Sequence, residues 1–557
     1  MSEPLDKFDE IYKNLVNHIR KFDFEKDAEI VLKWIEFTAD FAQNSHTGRL
    51  ADGSLENIAL EIGRKLEYLF SKENDGNKIS NVPQFRKLSK RHVLHIATTV
   101  YKTGGHTRLI NNWIRNDVNS IHSLLLINQT TDLPNWLVQI VQRNGGKLII
   151  LPPRTSFLPK AKALREVTRS NVDMVILHHH PNDVVPIVAF AKEELPPVAI
   201  MNHADHQFWL GSTIADAIID FRGYGKELSE KRRFAKETLF LPIPLNDNQP
   251  ALTRSEARKR LNIADGIVML LSIGASYKYY PLNDHDFFKT SVKLLEQNQD
   301  AHLYVIGVDF DENMEFFGKV KHKRLHLLGV IEDTDLYHIA SDLYLDGFPY
   351  GGGTTILEAS SFGICPILQF APLASYMYLE DISLSGTINC AKNENDYIEQ
   401  VTYLIRNPDK RGNIGKEVRN KVLLQHTGQE WQDYLDQIYF FLSEVRHRPA
   451  TIPYAPKCST EHDSVLSKVG KVQFGGARDR KKVIAHIAAE QADHYDGQAR
   501  YMLALRSILL ARKMAPDIVS ILRVIICIIK LLLGARGTEL VKSMLAFTNK
   551  SIRGNSE

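Results

Sequence analysis

Apolar positions along this chain recur with two different periods. From Leu5 onward, Phe8, Ile11, Tyr12, Leu15, Val16 and Ile19 follow helical spacing, and "SLENIALEIGRKLEYLF" continues it, which predicts a helical region over 1–88. After "NVPQF" the texture changes. Short runs rich in branched residues, "HVLHIATTV", "HSLLLIN", "KLIILP", "DMVILHHH", "PVAIMNH" and "DAIIDF", alternate with polar, helix-like segments. That alternation is the mark of βαβ units and a parallel sheet. The proline-marked stretch "FLPIPLNDNQPALTRSEA" interrupts it, and the pattern restarts with "GIVMLLSIG", "HLYVIG", "RLHLLGV", "SDLYLDGF" and "GICPILQ". Two successive α/β halves, 89–247 and 248–447, predict two Rossmann-like domains facing a cleft. The amphipathic "GQEWQDYLDQIYFFLSEV" is expected to close the second half, leaving 448–557 as a helical tail.

In that tail, "MAPDIVSILRVIICIIKLLLGARG" (514–537) is the most apolar stretch, but Arg523 and Lys530 interrupt it and disfavour a spanning helix. At about 100° per residue, Pro516, Ser520, Arg523, Cys527, Lys530 and Gly534 share one stripe, which leaves a wide apolar face. The pattern predicts a helix lying in a membrane interface, with Arg512, Lys513, Arg536 and Lys542 meeting anionic headgroups; the competing expectation is a helix packed on protein.

Composition narrows the function. A chain of 557 residues calls for several cores, and 44% hydrophobic with 24% charged residues is ordinary for a soluble globular protein. The net charge of +3, from 69 basic against 66 acidic residues, leaves no global nucleic-acid footprint. Four cysteines without metal or disulfide spacing suit a reducing compartment, and the N-terminus "MSEPLDKFDE" is polar rather than a signal peptide. The expected location is the cytoplasm, with peripheral attachment to the inner face of the membrane through 514–537.

Candidate chemistry gathers in glycine-rich turns between strands and helices. In "DGFPYGGGTTILEASSFGICPI", Gly351, Gly352 and Gly353 precede a helix start opened by Thr354 and Thr355. Such a turn lets backbone approach a ligand, and the free N–H groups and dipole of the helix favour an anion, most simply a phosphate. Lys278 in "SIGASYKYYP" follows the first strand of the same half, where a cation opposite the helix start makes a diphosphate clamp that needs no metal. Glu358, one turn into the helix, is placed to accept hydrogen bonds from ribose hydroxyls. Arg222 in "IIDFRGYG" is a second cation for the leaving diphosphate.

These motifs resemble the donor site of GT-B glycosyltransferases, in particular family four and the family of O-GlcNAc transferase and the bacterial N-glucosyltransferases. The resemblance implies that Thr354 and Thr355 hold the diphosphate, that Glu358 holds the ribose, that Lys278 is the phosphate-binding lysine, and that backbone near Val330 and Ile331 meets the base. Two positions depart from family four: "GASYK" lacks the arginine before the lysine, and Tyr350 stands where a second glutamate is usual.

In the first half, "TVYKTGGHTRLINNWI" joins a strand to a helix through Gly104 and Gly105, followed by His106; in similar transferases this loop lines the cleft toward donor phosphates and acceptor. "MNHADHQFWLG" supplies His203, Asp205 and His206 at a strand end, and the resemblance implies that His203 or His206 contacts the transferred sugar. Asp205 or a nearby histidine is the candidate base if the reaction inverts the anomeric centre. The "LHHHPND" cluster, with Asp183, also fits a metal-dependent hydrolase, a competing reading that gives the phosphate loop no purpose.

The resulting expectation is a metal-independent transferase with no cofactor, moving a sugar from a nucleotide diphosphate donor to a glycan or lipid-linked glycan in bacterial surface polysaccharide synthesis. Protein glycosylation, nucleotide-sugar epimerisation and non-catalytic sugar-nucleotide binding are the alternatives.

Overall fold

The computed structural model describes residues 3–72, 79, 84–87, 89–247, 252–282, 284–309, 320–368, 384, 386–388, 390–473, 480–498, 500–515, 518–533 and 541. The chain divides into two units, one of residues 35–474 and one made from both ends, 1–34 with 475–557.

The larger unit holds two parallel sheets. The first has strands β1 (His92–Ala97), β2 (Ile121–Leu126), β3 (Leu148–Ile150), β4 (Met174–His178), β5 (Val198–Met201), β6 (Ala217–Asp220) and β7 (Thr238–Phe240), in the order β3-β2-β1-β4-β5-β6-β7. The second has β8 (Val268–Ile273), β9 (Ala301–Ile306), β10 (Leu325–Leu327), β11 (Leu343–Leu345) and β12 (Cys365–Ile367), in the order β10-β9-β8-β11-β12. Each branched-rich run in the sequence becomes one of these strands. Strand β7 is the exception, lying at the edge of the first sheet where the following prolines suggested only a linker. Strands β1, β4, β5 and β6 are buried along their whole length, as parallel strands covered by helices on both faces must be. In each sheet the order reverses once, between β1 and β4 and between β8 and β11, and ligands gather in the crevice at such switch points.

The ends of the chain are organised differently from the expected four-part division. Residues 35–72 belong with the first sheet rather than with a separate N-terminal region. The buried Arg165 ties them there, donating to the carbonyls of Gly63 (2.8 Å), Val188 (2.7 Å) and Ala189 (2.8 Å). Glu56, also buried, accepts from the backbone N–H groups of Gly211 and Thr213. Residues 448–459 form no helix and run along this segment: Asn57 pairs with Ile452 in both directions, Cys458 N–H donates to Gly48 C=O at 2.9 Å, and Asp463 receives His46 at 2.7 Å. The strap lies so close that a Cβ on Gly48, whose φ is +78°, would sit 2.4 Å from the Cys458 oxygen. The helix Gly428–Glu444 crosses back to the first half, Trp431 donating to Pro242 C=O at 2.9 Å.

The smaller unit is helical. Its N-terminal helix, Glu3–Ile19, buries Phe8, Ile11, Tyr12, Leu15 and Ile19, as the spacing predicts. Lys513 in Tyr501–Met514 donates to Asn14 at 2.7 Å, and Arg500 pairs with Asp27, so first and last helices form one body. In Ile518–Leu533 the polar stripe faces protein, which corrects the expected orientation. Arg523 pairs with Asp493, Lys530 reaches Asp496 at 2.5 Å and Cys527 is buried, while Leu522, Ile525, Leu532 and Leu533 are exposed. Pro516, Gly534, Arg536 and Lys542 lie outside the described residues. No described helix is long and apolar enough to cross a membrane.

Candidate active site

Two helix N-termini meet across the cleft between the sheets. The helix Gly105–Asn116 follows β1 and the helix Gly353–Ser361 follows β11, and no side-chain hydrogen bond caps either start. Gly104 turns the chain at φ +108°, a conformation that costs glycine least. The two starts approach so closely that a Cβ on Gly105 would lie 2.5 Å from Thr354 Oγ1. Uncapped N–H groups from two helices therefore face one small volume. Both dipoles favour negative charge there.

The loops after β8 and β11 complete the pocket. A short turn, Ser276–Tyr279, is pinned by the buried Tyr279, whose hydroxyl bonds Ser272 Oγ at 3.0 Å. Gly274 and Gly347 both pack on that ring, where a Cβ would come within 3.1 Å and 3.0 Å of its atoms. This fixes Lys278, whose Nζ donates to Gly351 C=O at 3.1 Å, while Tyr350 N–H donates to Lys278 C=O at 3.2 Å. Buried Asp346 holds the glycine turn from behind, accepting from Gly352 N–H at 2.8 Å. Burial raises its carboxyl to about 6, opposed by that hydrogen bond and by the charge of Lys278. Thr355 is oriented by Tyr344, whose hydroxyl donates at 2.8 Å.

The cleft encloses about 520 Å³ and is lined by Gly104, Gly105, His106, His203, Asp205, His206, Arg222, Lys278, Val330, Gly352, Gly353, Thr354 and Thr355. All the sequence-predicted residues but one thus share a single site. The exception is Glu358. One turn down its helix, it lines a second cavity of about 550 Å³ and pairs with Arg108, one turn down the facing helix, at 3.2 Å. Burial raises the Glu358 carboxyl and Arg108 opposes the shift. Arg108 also donates to Glu332 C=O at 3.1 Å.

The geometry redistributes the expected roles on the first-half wall. Arg222 is buried and paired twice with Asp205, through Nε to Oδ2 and through Nη2 to Oδ1 at 2.6 Å. Burial alone would raise the Asp205 carboxyl, but Arg222 and the hydrogen bond from His206 hold it well below the usual carboxylate range. Asp205 is therefore an arginine partner and a poor proton acceptor, and Arg222 is held by a carboxylate rather than facing the cleft as a lone cation. His206 bonds Asp205 Oδ1 at 3.1 Å and meets the Tyr350 hydroxyl from the opposite half. His106 donates from Nε2 to His178 C=O at 2.7 Å; its Nδ1 is buried without a partner, and burial lowers the ring to about 4. His203 is half-buried, its ring centroid 4.5 Å from that of His106.

The histidine triplet does not converge. His178 turns inward to other histidines, His179 donates to Leu210 C=O at 2.5 Å, and Asp183 accepts from Thr98 at 2.6 Å. Among the described residues no group of His, Cys, Asp and Glu is arranged to hold a metal ion. Arg108, Asp346 and Tyr350 were not anticipated. Arg108 sits one helical turn beyond Gly104 in "GGHTR", a spacing that could have signalled a cleft-facing cation.

No family model matches the sequence, and no curated protein matches it. Solved structures do. HepE from Anabaena, in complex with UDP and glucose, superposes with a TM-score of 0.50 at 12% identity, covering 64% of this chain and 100% of its own. The O-GlcNAc transferase of Thermobaculum terrenum gives 0.46 at 16% identity over 74% of this chain and 77% of its own. Sucrose-phosphate synthase from Thermosynechococcus elongatus gives 0.45 at 13% identity over 63% and 99%. The two facing Rossmann-like sheets, with the site at their paired switch points, are the GT-B fold.

Proposed function

We propose that the protein is a glycosyltransferase that moves a sugar from a nucleotide diphosphate donor. The observation that carries this is the meeting of two uncapped helix N-termini beside Lys278, a triple concentration of positive potential on a volume open to ligand. Such a site stabilises the charge that grows on a leaving diphosphate without a metal ion. Thr354, Thr355 and the backbone of Gly352 and Gly353 hold the phosphates, and backbone at Val330 meets the base; Glu358, expected at the ribose, lines the neighbouring cavity and would reach the ribose only by leaving Arg108. His203 and His106 face the sugar and the acceptor beside Gly104 and Gly105. The ligands in HepE make UDP the first nucleotide to try.

The reading is tested by incubating the protein with nucleotide sugars in EDTA and measuring nucleoside diphosphate release, with and without acceptor glycans. Slow release without acceptor and faster release with one, both unaffected by EDTA, are expected. Loss of activity in EDTA and recovery with zinc or manganese would instead make the histidine clusters ligands.

The acceptor we propose is a glycan or lipid-linked glycan of bacterial surface polysaccharide synthesis, reached by a cytoplasmic enzyme resting on the membrane. Its support is the exposed apolar face of Ile518–Leu533, with exposed Arg512 and Lys513 nearby in sequence to meet anionic headgroups. Leu522→Glu together with Ile525→Glu should abolish binding to anionic liposomes at low salt and leave donor binding unchanged. Wild-type protein that ignores such liposomes would remove the membrane from the account.

A further inference from the structure

Beneath the cleft, four histidines from four neighbouring strands form an unbroken hydrogen-bonded chain. His122 is on β2, His95 on β1, His178 ends β4 and His203 follows β5; these strands are consecutive in the sheet, although not in the sequence. Asp117 Oδ2 lies 3.1 Å from His122 Nε2, His122 Nδ1 lies 2.9 Å from His95 Nε2, His95 Nδ1 lies 3.0 Å from His178 Nε2, and His178 Nδ1 lies 2.9 Å from His203 Nε2. The chain spans three inter-strand spacings, about 14 Å. It climbs from the second residue of β2 to the carboxyl end of β5, where the cleft opens.

Its direction is set at one end. Asp117 is fully buried, receives the Tyr439 hydroxyl at 2.9 Å on Oδ2 and the Asn119 N–H at 3.1 Å on Oδ1, and Tyr439 is in turn held by Trp113 at 3.0 Å. Burial acts to raise the Asp117 carboxyl, yet the hydrogen bonds from His122 and the further donors bring it to about 2, so it is a carboxylate and only accepts. His122 must then donate from Nε2, and in its neutral form this leaves Nδ1 to accept. The same choice passes to His95, His178 and His203 in turn. Burial, reinforced by the neighbouring histidines, holds His95, His178 and His203 neutral. A neutral ring carries one N–H, so the chain has one consistent arrangement, with Nε2–H on every ring.

We infer that Asp117 fixes the tautomer of His203 through His122, His95 and His178, so that His203 presents an unprotonated Nδ1 to the cleft and serves as the base toward the incoming acceptor. His203 would be the catalytic residue; Asp117, His122, His95 and His178 are positioning residues. This role for His203 rests on the transferase reading. As the acceptor oxygen bonds to the sugar carbon and the carbon–phosphate oxygen bond breaks, the acceptor proton passes to His203 Nδ1 and the bonding electrons leave with the nucleoside diphosphate. The aligned N–H dipoles, ending on a carboxylate, oppose the burial that disfavours the imidazolium that results. The proton returns to water after the products leave.

Asp117→Asn separates this arrangement from mere packing. Asn119 N–H can only donate, whereas the Tyr439 hydroxyl can turn to accept, so the amide oxygen takes the Oδ1 place and its NH₂ faces Tyr439 and His122. Every tautomer along the chain then inverts, and His203 carries its proton on Nδ1. Nitrogen NMR of the full-length protein labelled with ¹⁵N-histidine, recorded without substrate, should show His203 as the Nε2–H tautomer in the wild type and Nδ1–H in Asp117→Asn. Transfer should fall on the order of a hundredfold or more in kcat, with donor affinity unchanged. His95→Phe, which severs the chain while filling its space, should give a mixture of both tautomers at His203 and an intermediate kcat. An unchanged His203 tautomer in both variants overturns the relay whether or not the protein is a transferase. An inverted tautomer with unchanged kcat overturns His203 as the base.

Discussion

Replacing Arg222 with leucine is expected to destabilise the larger unit by about 3–5 kcal/mol, because it strands a buried carboxylate. Arg222 and Asp205 are both almost wholly buried and share two hydrogen bonds. Leucine fills much of the space but supplies no donor, leaving Asp205 with His206 as a much weaker partner. Adding Asp205→Asn should restore most of the loss, since the penalty belongs to the uncompensated charge. Urea unfolding of the single and double variants measures this. Had Arg222 served chiefly as a phosphate ligand, the single variant would lose donor affinity at little cost in stability and the second substitution would restore nothing.

Lys278→Ala is expected to weaken nucleoside diphosphate binding by about 1.5–3 kcal/mol, roughly tenfold to 150-fold, the range of a charge-assisted contact. Lys278 is half-buried and held on the Gly351 carbonyl at the mouth of the glycine turn. A phosphate arriving between the helix starts takes up the same ammonium. The matched nucleoside, which has no phosphate to offer, should bind the variant and the wild type alike in calorimetric titrations. Equal losses for diphosphate and nucleoside would show that Lys278 shapes the pocket rather than contacting the anion.

The cleft was legible because its parts are local. A strand, a glycine turn and a helix start are contiguous in sequence, so Gly104, Gly105, Gly352, Gly353, Thr354 and Thr355 announce themselves, and Lys278 follows from the order of the strands. The histidine chain was not legible for the opposite reason. His95 and His122 sit inside apolar runs, and their meeting with His178 and His203 depends on the order β2-β1-β4-β5, which no local pattern contains. The Asp205–Arg222 pair likewise joins residues 17 apart that neither motif links. In the tail, periodicity identified the polar stripe of Ile518–Leu533 but not which way it faces; Asp493 and Asp496 on a neighbouring helix decide that. The division of the ends failed because packing, not composition, pairs Glu3–Ile19 with Tyr501–Met514 and lays 448–459 on the segment from Gly48 to Asn57.

The central claim is that two helix starts and Lys278 form a diphosphate site. Thermal unfolding of the wild-type chain with matched pairs of nucleoside diphosphate and nucleoside tests it most directly, because a ligand at a hundred times its dissociation constant adds about 2.7 kcal/mol to the folded state. At least one diphosphate, UDP first among them, should raise the midpoint clearly while its nucleoside at the same concentration does far less. If no nucleoside diphosphate or nucleotide sugar shifts the midpoint, or if nucleoside and diphosphate shift it equally, the site does not bind a diphosphate and the account fails.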